Sequence, residues 1–233
     1  MRTICFSTGN LYRLVGKKDI YKIINQLDVD GVEIAYGRSY YDRPILEQDF
    51  EILKKFDFVS MHSPFKLSTH IVGEKEFNKT IKLIEKDYKK VNAKHVVVHP
   101  TQKLTKNLPS LNYITENLAP RKKMLSRKTL FESVLKKEKN FGLCLDVAHA
   151  YLWGINETEN IVKKWKKRIK SIHFSNTRYN MDHLSFEKVS RDFLKSIEPL
   201  RELNVPIIIE EDMKYTKISD IQKEIKRVKE IIF

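Results

Sequence analysis

The sequence predicts an α/β chain folded as a single compact (β/α)8, or TIM, barrel. Three observations predict it. Eight short apolar runs alternate with amphipathic segments along 233 residues, the pattern of parallel strands joined by helical crossovers. The length suits one domain over residues 1–233, and no repeat, low-complexity stretch or linker divides it. The turn after the first run, Ser7-Thr8-Gly9-Asn10, is not the Gly-rich phosphate loop that would favour an open doubly wound sheet.

The first run, residues 2–7 (RTICFS), leads to a helix near 18–27. The second, 31–35 (GVEIA), is followed by a helix over 45–55. The third, 57–61, runs into His62, and a long amphipathic helix over 74–91 comes next. The fourth, 95–98, ends at His99. The polar connection 101–110 has little helical pattern, so the helix after strand 4 should be reduced. The fifth run, 112–115, ends at Glu116, and a helix near 127–139 follows. The sixth lies within 141–150 (FGLCLDVAHA), with a helix near 157–168 after it. The seventh, 171–174, precedes a helix near 187–203. The eighth, 206–209, ends at Glu210, before a last helix over 217–232.

Composition bounds the rest. Hydrophobic residues make up 41%, enough for a sizeable core, and no stretch approaches the ~20 apolar residues of a membrane span. Residues 1–10 run directly into strand-like sequence without a signal peptide's apolar region, which predicts a cytoplasmic protein and no membrane partner. Cys5 and Cys144 lie in apolar runs and read as small buried hydrophobes. The formal net charge of +14 attracts polyanions, so nucleic acid is a candidate partner. A competing account is a solvated lysine face. Over residues 161–170 (IVKKWKKRIK), Ile161, Val162, Trp165 and Ile169 share one side and the lysines the other.

The sixth run points to the chemistry. Leu143-Cys144-Leu145 stops at Asp146, and His149 follows three residues later. A buried strand does not tolerate an uncompensated carboxylate, so Asp146 belongs at the strand end, with a cation or a helix cap to offset it. The other runs end alike: His62 in MHSP, His99 in VVVHP, Glu116 in YITEN, and Glu210 in IIIEE. His173 lies in IHFSN, with Asp182 and His183 beyond it. Each alone has a plainer reading: a turn histidine before Pro, a first-turn acid, a core or surface histidine. In a parallel barrel all these ends meet on one face, where active sites are built. Imidazole plus carboxylate is the donor set of zinc, manganese and iron sites. His70, in a polar loop, and His95, at the opposite strand end, are not assigned to the site.

The motifs HSP, VVVHP, EN, LDVAHA, IHFSN and IIIEE together resemble the xylose isomerase-like barrel superfamily, which includes endonuclease IV (AP endonuclease family 2) and sugar isomerases and epimerases. The resemblance implies a metal-dependent enzyme. The isomerase branch holds one Mn2+ or Mg2+ at positions matching Glu116, Asp146, His173 and Glu210. The endonuclease branch holds up to three Zn2+ with further positions matching His62, His99, His149 and His183. Departures exist. The endonuclease acid two residues before the last histidine is Met181 here, with Asp182 one residue late, and Leu184-Ser185-Phe186 replaces a Gly-rich segment. The epimerases' second acid falls among Pro120-Arg121-Lys122-Lys123.

The expectation is phosphodiester hydrolysis at abasic DNA through a zinc cluster, with Glu116 and Glu210 as catalytic carboxylates. Tyr36 and Arg38, in a loop with Tyr40, Tyr41 and Arg43, are expected to bind substrate. So are Arg121 and Lys122, as phosphate contacts. The alternative is a single-metal isomerase or epimerase acting on a sugar or sugar phosphate. Oligomeric state is not legible.

Overall fold

The computed structural model describes residues 2–16, 19–38, 45–100, 111–120, 127–179 and 181–232. In chain order its strands are β1 (Ile4–Ser7), β2 (Gly31–Ala35), β3 (Phe58–His62), β4 (Val96–Val98) and β5 (Tyr113–Glu116). They continue with β6 (Gly142–Asp146), β7 (Ile169–Phe174), β8 (Asn176–Arg178), β9 (Met181–Leu184) and β10 (Ile207–Ile209). The helices are α1 (Ile20–Ile24), α2 (Glu47–Leu53), α3 (Thr69–Val72), α4 (Glu74–Lys90) and α5 (Arg127–Lys137). The remainder are α6 (Val147–Trp153), α7 (Glu157–Trp165), α8 (Arg191–Ser196) and α9 (Ile218–Ile232).

Eight strands pair in parallel and close into a barrel in the order β1-β10-β7-β6-β5-β4-β3-β2. The expected (β/α)8 barrel is therefore present. β8 and β9 form a separate antiparallel hairpin. The helix expected near 187–203 is broken: α8 stops, and a 3-10 turn over Glu198–Glu202 follows with Pro199 near its start. Proline has no N–H to continue an α-helical ladder. The reduced helix expected after strand 4 falls on residues 101–110, outside the described residues. Two short helices and the hairpin were not expected. α6 forms because Asp146 caps it, Oδ1 accepting from the His149 backbone N–H at 2.7 Å. Among the described residues no helix is long and apolar enough to cross a membrane.

Strand alternation places the site. Ile4, Phe6, Val32, Ile34, Met61, Val96, Val98, Leu143, Leu145, Phe174, Ile207 and Ile209 join the main core with the helices. The intervening residues point into the barrel. Low in the barrel, Val97, Ile114 and Cys144 form a small apolar cluster of their own. Two residues further along those strands, the inward positions are His99, Glu116 and Asp146. The polar layer thus sits at the C-terminal mouth, above this apolar cluster and above the buried Glu33 and Ser60 of β2 and β3. A register irregularity between Leu143 and Cys144 skips one residue of β7, so that Asp146 pairs with His173.

Candidate metal centre

A cavity of about 790 Å³ opens at the barrel mouth, and His62, His99, Glu116, His149, His183 and Glu210 are on its wall. Asp146 and His173 lie beneath, both fully buried. One ligating atom from each of Glu116, Asp146, His173 and Glu210 lies within 4.8 Å of the others. The same holds for His62, His99 and Glu116, and for Asp146, His149 and His183. The structure thus brings together all eight residues named as ligands from the sequence.

His173 Nδ1 lies 2.7 Å from Glu210 Oε2 and 3.1 Å from Glu116 Oε1, and one ring nitrogen cannot serve both with a single proton. Glu116 Oε2, Asp146 Oδ2 and Glu210 Oε2 are buried without a well-formed hydrogen bond. Burying charged oxygens this way costs heavily unless a positive charge accompanies them. These orphaned atoms and the mixed nitrogen and oxygen donor set fit divalent cations.

The backbone prepares the histidines. Nδ1 of His62 faces Ser63 O at 2.9 Å, Nδ1 of His149 faces Asn117 O at 3.0 Å, and Nδ1 of His183 faces Glu210 O at 3.0 Å. A carbonyl only accepts, so each Nδ1 carries the proton and each neutral ring is left with its Nε2 lone pair. His62 Nε2 lies 3.6 Å and His99 Nε2 3.1 Å from Glu116 Oε2; His149 Nε2 lies 3.3 Å from Asp182 Oδ2. The Asn117 side chain bridges both backbone groups of Asp146, accepting from its N–H at 2.9 Å and donating to its carbonyl at 2.8 Å. That explains the asparagine beside Glu116: it locks β5 to β6 at the level of the site.

The carboxylates and imidazoles also shift one another's protonation. Burial opposes charge on His62, but hydrogen bonding and charge from Glu116 prevail and raise it to about 9. Burial likewise opposes His149, yet Asp146 and Asp182 lift it to about 10. Burial pushes Asp146 up to about 6 against the pull of His149. Burial would raise Glu116 and Glu210 too, but His173 holds both below the usual carboxylate range. His99 is lowered, because burial outweighs Glu116.

No family model matches the sequence, and no curated protein does either. Solved structures do. A xylose isomerase domain containing protein from Salmonella typhimurium superposes with a TM-score of 0.70 at 14% identity, over 99% of this chain and 97% of that one. The chain has the xylose isomerase-like barrel fold. Endonuclease IV from Thermus thermophilus shares it at a TM-score of 0.62 and 15% identity, over 98% and 99% of the two chains. So does the IolI protein with a bound zinc atom, at 0.67 and 14%, over 98% and 96%.

Tyr36 is a correction. It was expected to meet substrate, but it is fully buried, and its hydroxyl donates to Asp87 of α4 at 3.0 Å. It shares the outward parity of Val32 and Ile34, which sends it under a helix instead of into the mouth. Arg38 is exposed. Tyr40, Tyr41, Arg43, Arg121 and Lys122 lie outside the described residues. His95 is buried with its ring edge-on to Phe58, away from the site. Met181 is 52% exposed, whereas Asp182 reaches His149. Sequence reasoning missed Glu33 of β2, whose Oε1 lies 3.1 Å from His173 Nε2. The Glu33 carboxylate lies between Val32 and Ile34 in mid-run, where it reads as the wet face of a half-buried strand, whereas Asp146 ends its run.

Proposed function

We propose that the protein is a divalent-metal-dependent phosphodiester hydrolase of the endonuclease IV kind, acting on abasic sites in DNA with up to three zinc ions. The observation that carries this reading is the set of imidazoles beyond the Glu116–Asp146–His173–Glu210 quartet. A single-metal isomerase has no use for His62, His149 and His183, each with Nδ1 tied to a backbone carbonyl. Neutral imidazoles add ligands without adding negative charge, so a loaded site stays positive for an anionic substrate.

Bound cations there would supply Lewis acidity to a phosphoryl oxygen and make water a better nucleophile at neutral pH. The protein's own groups do the rest. Glu116, in contact with both His99 and His173, would bridge two of the positions. Glu210, at 21% side-chain exposure and held in its ionised form by His173, would serve as an anionic ligand. Asp182 would take the role that the endonuclease pattern gives to the residue at Met181. The apolar floor of Val97, Ile114 and Cys144 closes the cavity from below.

Two surface features support a nucleic-acid substrate. The net charge is +14. Phe65 on the cavity wall is 45% exposed, and Tyr179, on the hairpin carrying Asp182 and His183, is 85% exposed. Such rings can stack on bases. The test is incision of a duplex containing one abasic site, with zinc, manganese or magnesium supplied. Cleavage at the lesion and not in undamaged duplex is expected; no cleavage with any of the metals removes the proposal.

The quartet also supports a second reading, aldose–ketose isomerisation or epimerisation of a sugar or sugar phosphate, with one Mn2+ or Mg2+. Deuterium from solvent appearing in a sugar would favour it, and a silent panel of free and phosphorylated sugars would count against it.

A further inference from the structure

Among the described residues, Glu33 is the one carboxylate in the barrel interior that the proposed chemistry leaves without a task. It sits mid-strand on β2, fully buried, one layer below the mouth. Its Oε2 accepts from Ser60 Oγ of β3 at 3.0 Å. Its Oε1 lies 3.1 Å from His173 Nε2, and neither atom has a hydrogen-bond partner elsewhere. Two fully buried polar atoms left with only each other form a pair, since either alone would be a costly unsatisfied group. The opposite nitrogen of the same ring, Nδ1, is the one facing Glu116 and Glu210.

We infer that Glu33 is a positioning residue of the metal centre: anchored by Ser60, it holds the His173 imidazole by Nε2 so that Nδ1 is presented to the cation. His173 thereby differs from its neighbours. His62, His149 and His183 are oriented through Nδ1 by backbone carbonyls and present Nε2. No backbone carbonyl is bonded to the His173 ring among the described residues, and a charged side chain takes that place. A carboxylate behind a ligating imidazole fixes its orientation and raises its basicity, and losing such a partner typically weakens metal affinity about 10–100-fold. A neutral amide at the same place would still accept from Nε2–H but would not strengthen the ligand.

The inference rests on reading the cavity as a metal centre, and not on which reaction the centre performs. The test is zinc titration calorimetry of wild type, Glu33→Ala and Glu33→Gln. It is paired with histidine 15N NMR of the zinc-loaded proteins, which reports the nitrogen carrying metal. Wild type should show His173 metallated at Nδ1 and protonated at Nε2. Glu33→Ala should bind zinc about 10–100-fold more weakly and lose that single His173 signature. Glu33→Gln, isosteric and suited to fold if the alanine variant does not, should keep the signature with an intermediate loss of affinity. Unchanged affinity and unchanged His173 resonances in Glu33→Gln and Glu33→Ala would overturn the inference alone. A folded wild type that takes up no zinc would overturn it together with the metal-centre reading.

Discussion

Glu116 carries more of the site than any other side chain. Its two oxygens reach toward His62, His99, His149 and His173, from four different strands or their following turns. Replacing it by glutamine keeps the volume but removes the charge those imidazoles gather around. Glu116→Gln should therefore lower zinc affinity by on the order of 100-fold or more while leaving the barrel folded, as calorimetry and circular dichroism would show. The same gathering sets a pH dependence in the metal-free protein. Free histidine titrates near 6.5, whereas His62 and His149 are raised to about 9 and 10 by Glu116, Asp146 and Asp182 against their burial. The folded state holds those protons longer, so the stabilisation is complete below about pH 6.5 and is lost as pH climbs through 9 to 10. Metal-free melting temperature should fall over that window. Zinc affinity should rise over the same window, because the metal replaces those protons. Melting curves at a series of pH values, with and without zinc, check both signs.

At the scale of elements, close strand approach is set by glycine where β2 leaves the core. A methyl group on Gly31 would come within 2.5 Å of the Phe58 carbonyl oxygen and 2.6 Å of Cys5 Sγ. Gly31→Ala must push β2 from β3 and should cost about 1–3 kcal/mol, read by denaturant unfolding. It should also weaken zinc binding, since Glu33 is two residues on. Five strand ends were legible in the sequence because those apolar runs stop at His62, His99, Glu116, Asp146 and Glu210, and parallel barrel topology puts all such ends on one face. Asp146 was readable through burial cost, yet Glu33 was not. Within GVEIA a charged residue between apolar neighbours looks like the wet face of a half-buried strand, and only closure of the barrel turns that face inward. Tyr36 fails for the complementary reason: its aromatic and basic neighbours suggested a clamp, while its parity with Ile34 sends it beneath α4. The β8–β9 hairpin was hidden because Tyr179 turns the chain at φ 52°, a conformation no tyrosine signals in sequence. That turn, with His183 at φ 55°, is what brings Asp182 to His149 although it stands one residue late.

At the scale of the whole molecule, the chain carries 44 basic against 30 acidic residues, and five of the acidic ones line the cavity. A site loaded with cations would attract phosphate, and the net charge of +14 would add a long-range pull. Binding to duplex DNA should therefore need metal and weaken steeply with salt, by about 10³-fold or more between 50 and 200 mM if six or more phosphates are engaged. Tyr179→Ala should reduce affinity for abasic duplex without changing zinc content, because its ring is 85% exposed and lies by Arg178. Fluorescence anisotropy at several salt concentrations measures both effects. All of this depends on the eight donors having been drawn together to hold cations. The most direct measurement is zinc stoichiometry by native mass spectrometry of the purified, folded chain titrated with zinc. The account predicts about two to three ions per chain, falling when Glu116 or His149 is replaced; a folded chain that stays metal-free at saturating zinc would contradict it.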